Sequence, residues 1–232
     1  MSVGHSSKSY SGGIAIGFST EAFSYGTAVG RNAEAVDYGI AIGNDSRGRG
    51  YGVGLGGSAD GDYKGVALGW QSRTNSKYYS VALGYNTETK RTSEIAHCID
   101  GSVIQDYNFS SAGWAIQTAN ATPVEMFLGE TANQRFTINP ESAVNFVIRI
   151  VARDNVANEV ASYKVEGLIK RDGAGNTVLV WSNKTVQYED DATWDVSVTA
   201  DDTNEALKIE VTGDGTNPVR WAARIDEIEN QF

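Results

Sequence analysis

The sequence predicts an all-β fold in two parts: a stack of short parallel coils over residues 11–90 and an antiparallel β-sandwich over residues 121–232. Three observations predict it. A glycine-punctuated segment recurs in register, its closing glycines at 17, 30, 43, 56, 69 and 84 being spaced 13, 13, 13, 13 and 15. Glycine is concentrated in the same region, with 18 of the 26 lying before residue 101. Beyond Pro123 the pattern becomes one of apolar and polar residues alternating between turn residues.

The repeated segments are Gly13–Gly17, Gly26–Gly30, Gly39–Gly43, Gly52–Gly56, Gly65–Gly69 and Ser80–Gly84. A short fixed period means identical coils stacked on one another, here six of them. Each unit reads as a short strand, a turn and a second, shorter strand. Alternation sets Ile14 and Ile16 on one face and Ala15 on the other. Five residues after each closing glycine stands a small residue, Ala22, Ala35, Gly48, Gly61 or Thr74, with Thr89 a late match. The expected coil is thin, with the two branched side chains and one small one inside. The opposite face carries Ala15, Ala28, Ala41, Gly54, Ala67 and Ala82. One thin coil buries too little apolar surface to offset its ordering entropy, so this small stripe is expected to pack against another backbone. The chain is then an obligate oligomer.

A second column stands five residues before each closing glycine: Tyr25, Tyr38, Tyr51, Lys64 and Tyr79, with Tyr63 and Tyr78 one place earlier. Stacked coils bring these onto one ladder. Tyrosine offers an apolar ring with a polar tip, so the ladder is a candidate receptor-contact stripe. Mutual stacking that covers the strand edge is the plain structural alternative.

Ser80-Val81-Ala82-Leu83-Gly84-Tyr85-Asn86 and its degenerate copies resemble the head repeat of trimeric autotransporter adhesins, a repeat that recurs in bacteriophage tail fibres and spikes. The resemblance covers about residues 11–90. It implies a left-handed parallel β-roll, side by side or intertwined in a homotrimer. No heptad stalk or barrel anchor follows the repeat, so a virion protein is expected in preference to a bacterial adhesin head. The function expected is a non-enzymatic fibre or spike on the virion, anchored to another virion structural protein and contacting a host surface glycan or protein. A capsid or collar decoration fibre is the alternative, and an exported adhesin head or a glycan depolymerase stands behind both.

Residues 1–10 are expected to form an attachment tail and residues 91–120 a neck closing the last coil. In the C-terminal part, Phe146, Ile148 and Ile150 alternate with polar or smaller residues, as do Tyr163, Val165 and Ile169. Trp194, Val196 and Val198 continue the pattern, followed by Leu207, Ile209 and Val211, then Val219, Trp221 and Ile225. Asp172-Gly173-Ala174-Gly175-Asn176, Asp201-Asp202-Thr203-Asn204 and Gly213-Asp214-Gly215-Thr216-Asn217 mark turns. The stretch from Ala121 to Arg224, with its strand entry Glu189–Val196, resembles terminal domains of phage structural proteins.

Composition excludes some functions. The net charge is −10, and residues 117–232 hold 10 basic against 19 acidic side chains. Such a chain repels nucleic acid and anionic membranes. No apolar run is long enough to insert in a membrane, and the N-terminus lacks a secretory pattern, so synthesis in the host cytoplasm is expected. Cys98 is the one cysteine and rules out an internal disulfide framework. His5 falls in the expected tail, and His97 is a strand neighbour of Cys98, pointing to the other face. Asp60 and Asp62 are weak candidates for a hard cation, lacking the repeated acidic spacing of a calcium roll. No cofactor and no catalytic residue is expected.

Overall fold

The computed structural model describes residues 1–98, 107–129 and 132–231, the side chains of Cys98 and of residues 107–109 excepted. It divides into two compact units, Met1–Asn108 and Phe109–Phe232. No helix occurs among the described residues.

The first unit is a β-solenoid of about seven turns. Its strands in chain order are β1 (Ser2–Val3), β2 (Lys8–Ser9), β3 (Ile14–Ile16), β4 (Glu21–Ala22), β5 (Thr27–Val29), β6 (Glu34–Val36) and β7 (Ile40–Ile42). They continue as β8 (Arg47–Arg49), β9 (Val53–Leu55), β10 (Asp60–Gly61), β11 (Val66–Leu68), β12 (Val81–Gly84) and β13 (Ile95–Cys98). The odd-numbered strands to β11, then β12 and β13, stack in parallel as one sheet; β2, β4, β6, β8 and β10 stack as another. Single bridges Asp60–Arg73 and Arg73–Glu88 carry the second stack two coils further. Pairing is in register with the repeat, aligning Ala15, Ala28, Ala41, Gly54, Ala67, Ala82 and Ala96 in one column. The longer spacing before Gly84 leaves that register intact: Val66 still faces Val81 and Leu68 faces Leu83.

Both corners of the coil need left-handed backbone. At one corner Ser24 and Tyr25 have φ of 46° and 64°, and the Gly26 N–H donates to the Phe23 carbonyl at 2.8 Å. Two successive positive φ values across such a bond make a tight mirror-image turn. At the other corner stand the closing glycines: Gly43 has φ 138°, and a Cβ there would lie 2.2 Å from the Gly56 carbonyl oxygen. Only glycine fits that column.

Three expectations are corrected. Residues 1–10 are no tail but the first coil: Ser2 pairs with Ala15, Lys8 with Glu21, and the His5 ring stacks on Phe18 at 5.1 Å. This coil brings the expected six to about seven. The reason is that Gly4 precedes Gly17 by the same 13 residues, although its neighbours are more polar than the repeat consensus. Second, the faces are reversed. Ala15, Ala28, Ala41, Ala67 and Ala82 are fully buried and Gly54 is buried, all inside the coil and not on an oligomer-packing stripe. They face Ala22, Ala35, Gly48, Gly61, Thr74 and Thr89, with Thr20, Ala33, Ser46, Ala59, Ser72 and Thr87 in a third buried column. The coil is too thin for anything larger: a Cβ on Gly26 would sit 2.7 Å from the Ala35 carbonyl oxygen, and one on Gly48 2.2 Å from that of Ile40. The branched side chains therefore point outward. Third, the region expected as a neck contributes to both units. Ile95–Cys98 is one more strand of the stack, Val81 facing Ile95, while most of β14 (Tyr107–Thr118) falls in the second unit. Ile99, also assigned to that neck, lies outside the described residues.

Glu94 closes the coil before β13. It is fully buried, accepts the Lys90 and Arg91 backbone N–H groups at 2.5 and 2.7 Å, and lies 3.5 Å from the buried Arg91 guanidinium. Pairing and hydrogen bonds together offset the desolvation that either charge alone would suffer.

The second unit adds β15 (Val124–Glu125), β16 (Phe136–Thr137), β17 (Ser142–Asp154), β18 (Val160–Arg171), β19 (Thr177–Glu189), β20 (Asp195–Asp201), β21 (Ala206–Thr212) and β22 (Val219–Gln231). One sheet has the order β14-β22-β17-β18-β19; in the other, β21 pairs with β15, β16 and β20. The two share one core in which Phe146, Ile148, Ile150, Tyr163, Trp194, Ile209 and Trp221 are buried. Tyr163 stacks near Trp221 at 6.2 Å, and Trp194 lies 5.9 Å from Trp221. Of the alternating residues expected to face the core, only Val198 is partly exposed. The turns are closed by aspartates: Asp172 accepts the Ala174 and Asn176 N–H groups at 3.0 and 2.8 Å, and Asp201 and Asp214 do the same in theirs.

Candidate binding surfaces

The solenoid exposes three ladders that repeat from coil to coil. The tyrosine ladder stands on the left-handed turns. Tyr25 stacks on Tyr38 at 5.3 Å and Tyr38 on Tyr51 at 5.1 Å, with ring planes 16° and 3° apart. These distances are slightly more than one strand spacing, so the backbone repeat itself sets the stack. Further along, Tyr63 and Tyr78 lie 5.3 Å apart but tilted by 38°, and the Lys64 ammonium sits 5.2 Å over Tyr79 while donating to its hydroxyl at 3.2 Å. The six tyrosines remain between 47% and 61% exposed despite stacking, so each ring keeps an open edge and hydroxyl. The ladder is thus two runs of different geometry: three parallel rings, then a tilted group with a cation.

The second ladder is apolar. Because alanine occupies the interior, Ile14 and Ile16, Thr27 and Val29, Ile40 and Ile42, Val53 and Leu55, Val66 and Leu68, then Val81 and Leu83 form a two-residue-wide outer stripe. Ile14, Ile40, Ile42 and Ile95 are 37–48% exposed. The remaining members of the stripe are half-buried.

The third ladder is charged. Along the short strands Lys8 pairs with Glu21 at 3.0 Å, Glu34 with Arg47 at 3.5 Å, Arg47 with Asp60 at 4.0 Å, and Arg73 with Glu88 at 3.5 Å. Sequence reasoning missed this column, although its members recur at the repeat spacing. It also accounts for the two aspartates considered for a cation. Asp60 lies 3.2 Å and Asp62 3.3 Å from Arg49, so both carboxylates face guanidinium groups. Burial, then the neighbouring Asp62 charge, holds the Asp60 carboxyl above its ordinary range despite the arginines. Among the described residues no three His, Cys, Asp or Glu side chains gather as metal ligands. His97 is exposed on β13; the side chain of Cys98 lies outside the described residues.

No protein-family model and no curated protein matches the chain. Among solved structures it is similar to the tailspike protein gp49 of Acinetobacter baumannii bacteriophage Fri1, a capsular polysaccharide depolymerase. The identity is 12% and the TM-score 0.35, over 90% of this chain and 37% of that one. The chain thus spans little more than a third of that protein's length. A likeness this low bears on neither activity nor partners.

Proposed function

We propose that the chain is a non-enzymatic fibre or spike component of a bacteriophage virion, assembled as a homotrimer and contacting the host surface through its tyrosine ladder. The observation that carries the reading is the inversion of the solenoid: interior side chains are small, and the large ones, aromatic and branched, are displayed outside in straight columns. A coil whose core is methyl groups gains little from its own burial. The outer apolar stripe supplies what is missing once copies pack against it, and this stripe replaces the alanine column as the trimer surface. The resemblance of the repeat to adhesin heads and phage fibres supports three copies and a virion setting. The two-sheet second unit is read as the β-sandwich of the expected terminal domain. The anchor is another virion structural protein.

Three copies present three parallel Tyr25–Tyr38–Tyr51 stacks, and weak contacts to a glycan or protein gain avidity when engaged together. The test is competition: purified chain is added before phage, and adsorption to host cells is counted. Wild-type chain is expected to block, while Tyr38→Ala with Tyr51→Ala blocks nothing and keeps its native mass. A folded double mutant that blocks as well as wild type overturns the receptor reading. A wild-type chain that binds virions but never blocks makes it a decoration fibre. Release of reducing ends from host polysaccharide would make it an enzyme.

A further inference from the structure

The second unit, acidic overall, concentrates positive charge on one stretch of its sheet, where arginines face one another. In the register of β17 and β22, Arg149 lies directly opposite Arg224 and Arg153 directly opposite Arg220, with Val151 opposite Ala222 between them. Like charges facing across a strand pair are destabilising. One pair is relieved: Asp226 takes Arg149 at 2.6 Å and Arg224 at 2.7 Å. The other is not. Arg153 donates to the Asn158 amide oxygen at 3.0 Å and Arg220 to that of Gln117 at 3.2 Å. Neither has a carboxylate partner among the described residues. The amides fix the direction of the two guanidinium groups and leave their charge unspent.

Between the pairs the sheet is hollow. Two adjoining depressions of about 470 and 330 Å³ share a floor of Val151 and Ala222. One reaches Ala115, Ile116 and Gln117 on β14, the other Ser162 on β18 and Gln187 on β19. Together they cross all five strands of the sheet, about 19 Å at the usual strand spacing. The floor is apolar and small-sided, with Val151 54% exposed, and hydroxyl and amide groups stand at the ends.

We propose that this trough binds a carboxylate-bearing glycan, independently of the tyrosine ladder. A flat apolar floor suits the face of a sugar ring, the amide and hydroxyl groups suit its hydroxyls, and a guanidinium takes a carboxylate in two parallel hydrogen bonds. Nucleic acid fits less well, because its phosphates continue beyond the trough over a domain half that carries 19 acidic residues.

The test titrates the full chain calorimetrically with oligogalacturonate and oligosialate, and with the methyl ester of the former, which keeps the sugar and loses the charge. At least one acid is expected to bind, more weakly at high salt, and the ester about tenfold or more weaker than its acid. In R153Q/R220Q affinity for the acid falls about tenfold or more, and R153K/R220K recovers part of it. Removing the facing charges leaves the unfolding temperature of R153Q/R220Q equal or raised, so lost binding is not lost folding. Tyr38→Ala with Tyr51→Ala leaves this binding unchanged. The proposal is overturned if neither acid binds wild type, or if acid and ester bind alike. It also fails if R153Q/R220Q binds as wild type, or if that variant changes native mass, which gives the trough to a second copy of the chain.

Discussion

The two units solve the same problem with opposite materials. Among the described residues the solenoid has no large apolar side chain in its interior; alanine, glycine, serine and threonine line it, the buried Arg91–Glu94 pair of the last coil apart, and cohesion comes from backbone hydrogen bonds passed from coil to coil, such as Lys8 to Thr20 and Ile40 to Gly52. The second unit is held by large side chains: Trp194, Trp221, Tyr163, Phe136 and Phe146 are all buried together. In the first, geometry is unforgiving and any one side chain contributes little; in the second, side chains carry the stability and exposed backbone positions tolerate change. The thin repeat therefore displays all its described large apolar residues, whereas the second unit buries a set of them in a core and exposes others, such as Trp181 and Tyr188.

That contrast can be broken most sharply at glycine. Gly43→Ala places a Cβ 2.2 Å from the Gly56 carbonyl oxygen at φ 138° and is expected to cost about 3 kcal/mol or more; in the second unit, Gly215→Ala, with nothing within 4 Å, is expected to be silent. Calorimetry of the two variants reads this, and a tolerated Gly43→Ala would refute the close stacking. Next in size, Trp221→Ala should destabilise the second unit by about 3–5 kcal/mol, whereas Ala28→Gly in the solenoid costs about 1 kcal/mol. Hydrogen exchange followed by mass spectrometry assigns each loss to its unit. Ile40→Asn with Ile42→Asn changes a pair already 38% and 44% exposed, so the single chain should scarcely notice; native mass should nevertheless fall to that of one chain. Persistence of the oligomer would move the interface elsewhere.

Acid gives the smallest and most differential effect. The Asn176 amide and backbone N–H groups hold Asp172 below its ordinary range, and the Thr216 N–H does so for Asp214. A depressed carboxylate stabilises above its unfolded value, and that contribution disappears as pH falls through the folded one. Asp60 is raised, so its charge opposes folding at neutral pH and the penalty lifts on acidification. Between pH 7 and about 3, protection against exchange, taken relative to the intrinsic amide rate at each pH, should fall in the turns of the second unit before it falls in the solenoid. The reverse order would count against these assignments.

Much of this architecture was legible in the sequence because a fixed spacing specifies stacking directly. Period-two alternation also separated Ile14 and Ile16 from Ala15, but alternation is symmetric and does not say which face is inside. The deciding quantity is the width of the coil, and one signal did carry it: Ala15 and Ala22 are both small in one repeat, as are Ala28 and Ala35, and two small columns can only be facing walls. The first coil was missed because Val3-Gly4 keeps the spacing without the motif. The tyrosine ladder followed from spacing alone, yet its division at Lys64 depended on ring orientation. The Arg153–Arg220 pairing depends on the register of strands far apart in the chain, which no local pattern encodes.

The two extra residues before Gly84 are absorbed at the corner between Thr74 and Ser80, where Asn75, Ser76 and Tyr79 all take left-handed backbone, and strand register is unaffected. That corner is a splice point. New sequence grafted there is expected to leave the coils on either side in register, and whole coils added or deleted elsewhere are expected to change the length in steps of one strand spacing, about 4.8 Å. The solenoid is in this sense a ruler with a socket: its reach is adjustable by duplication, and what it carries by insertion.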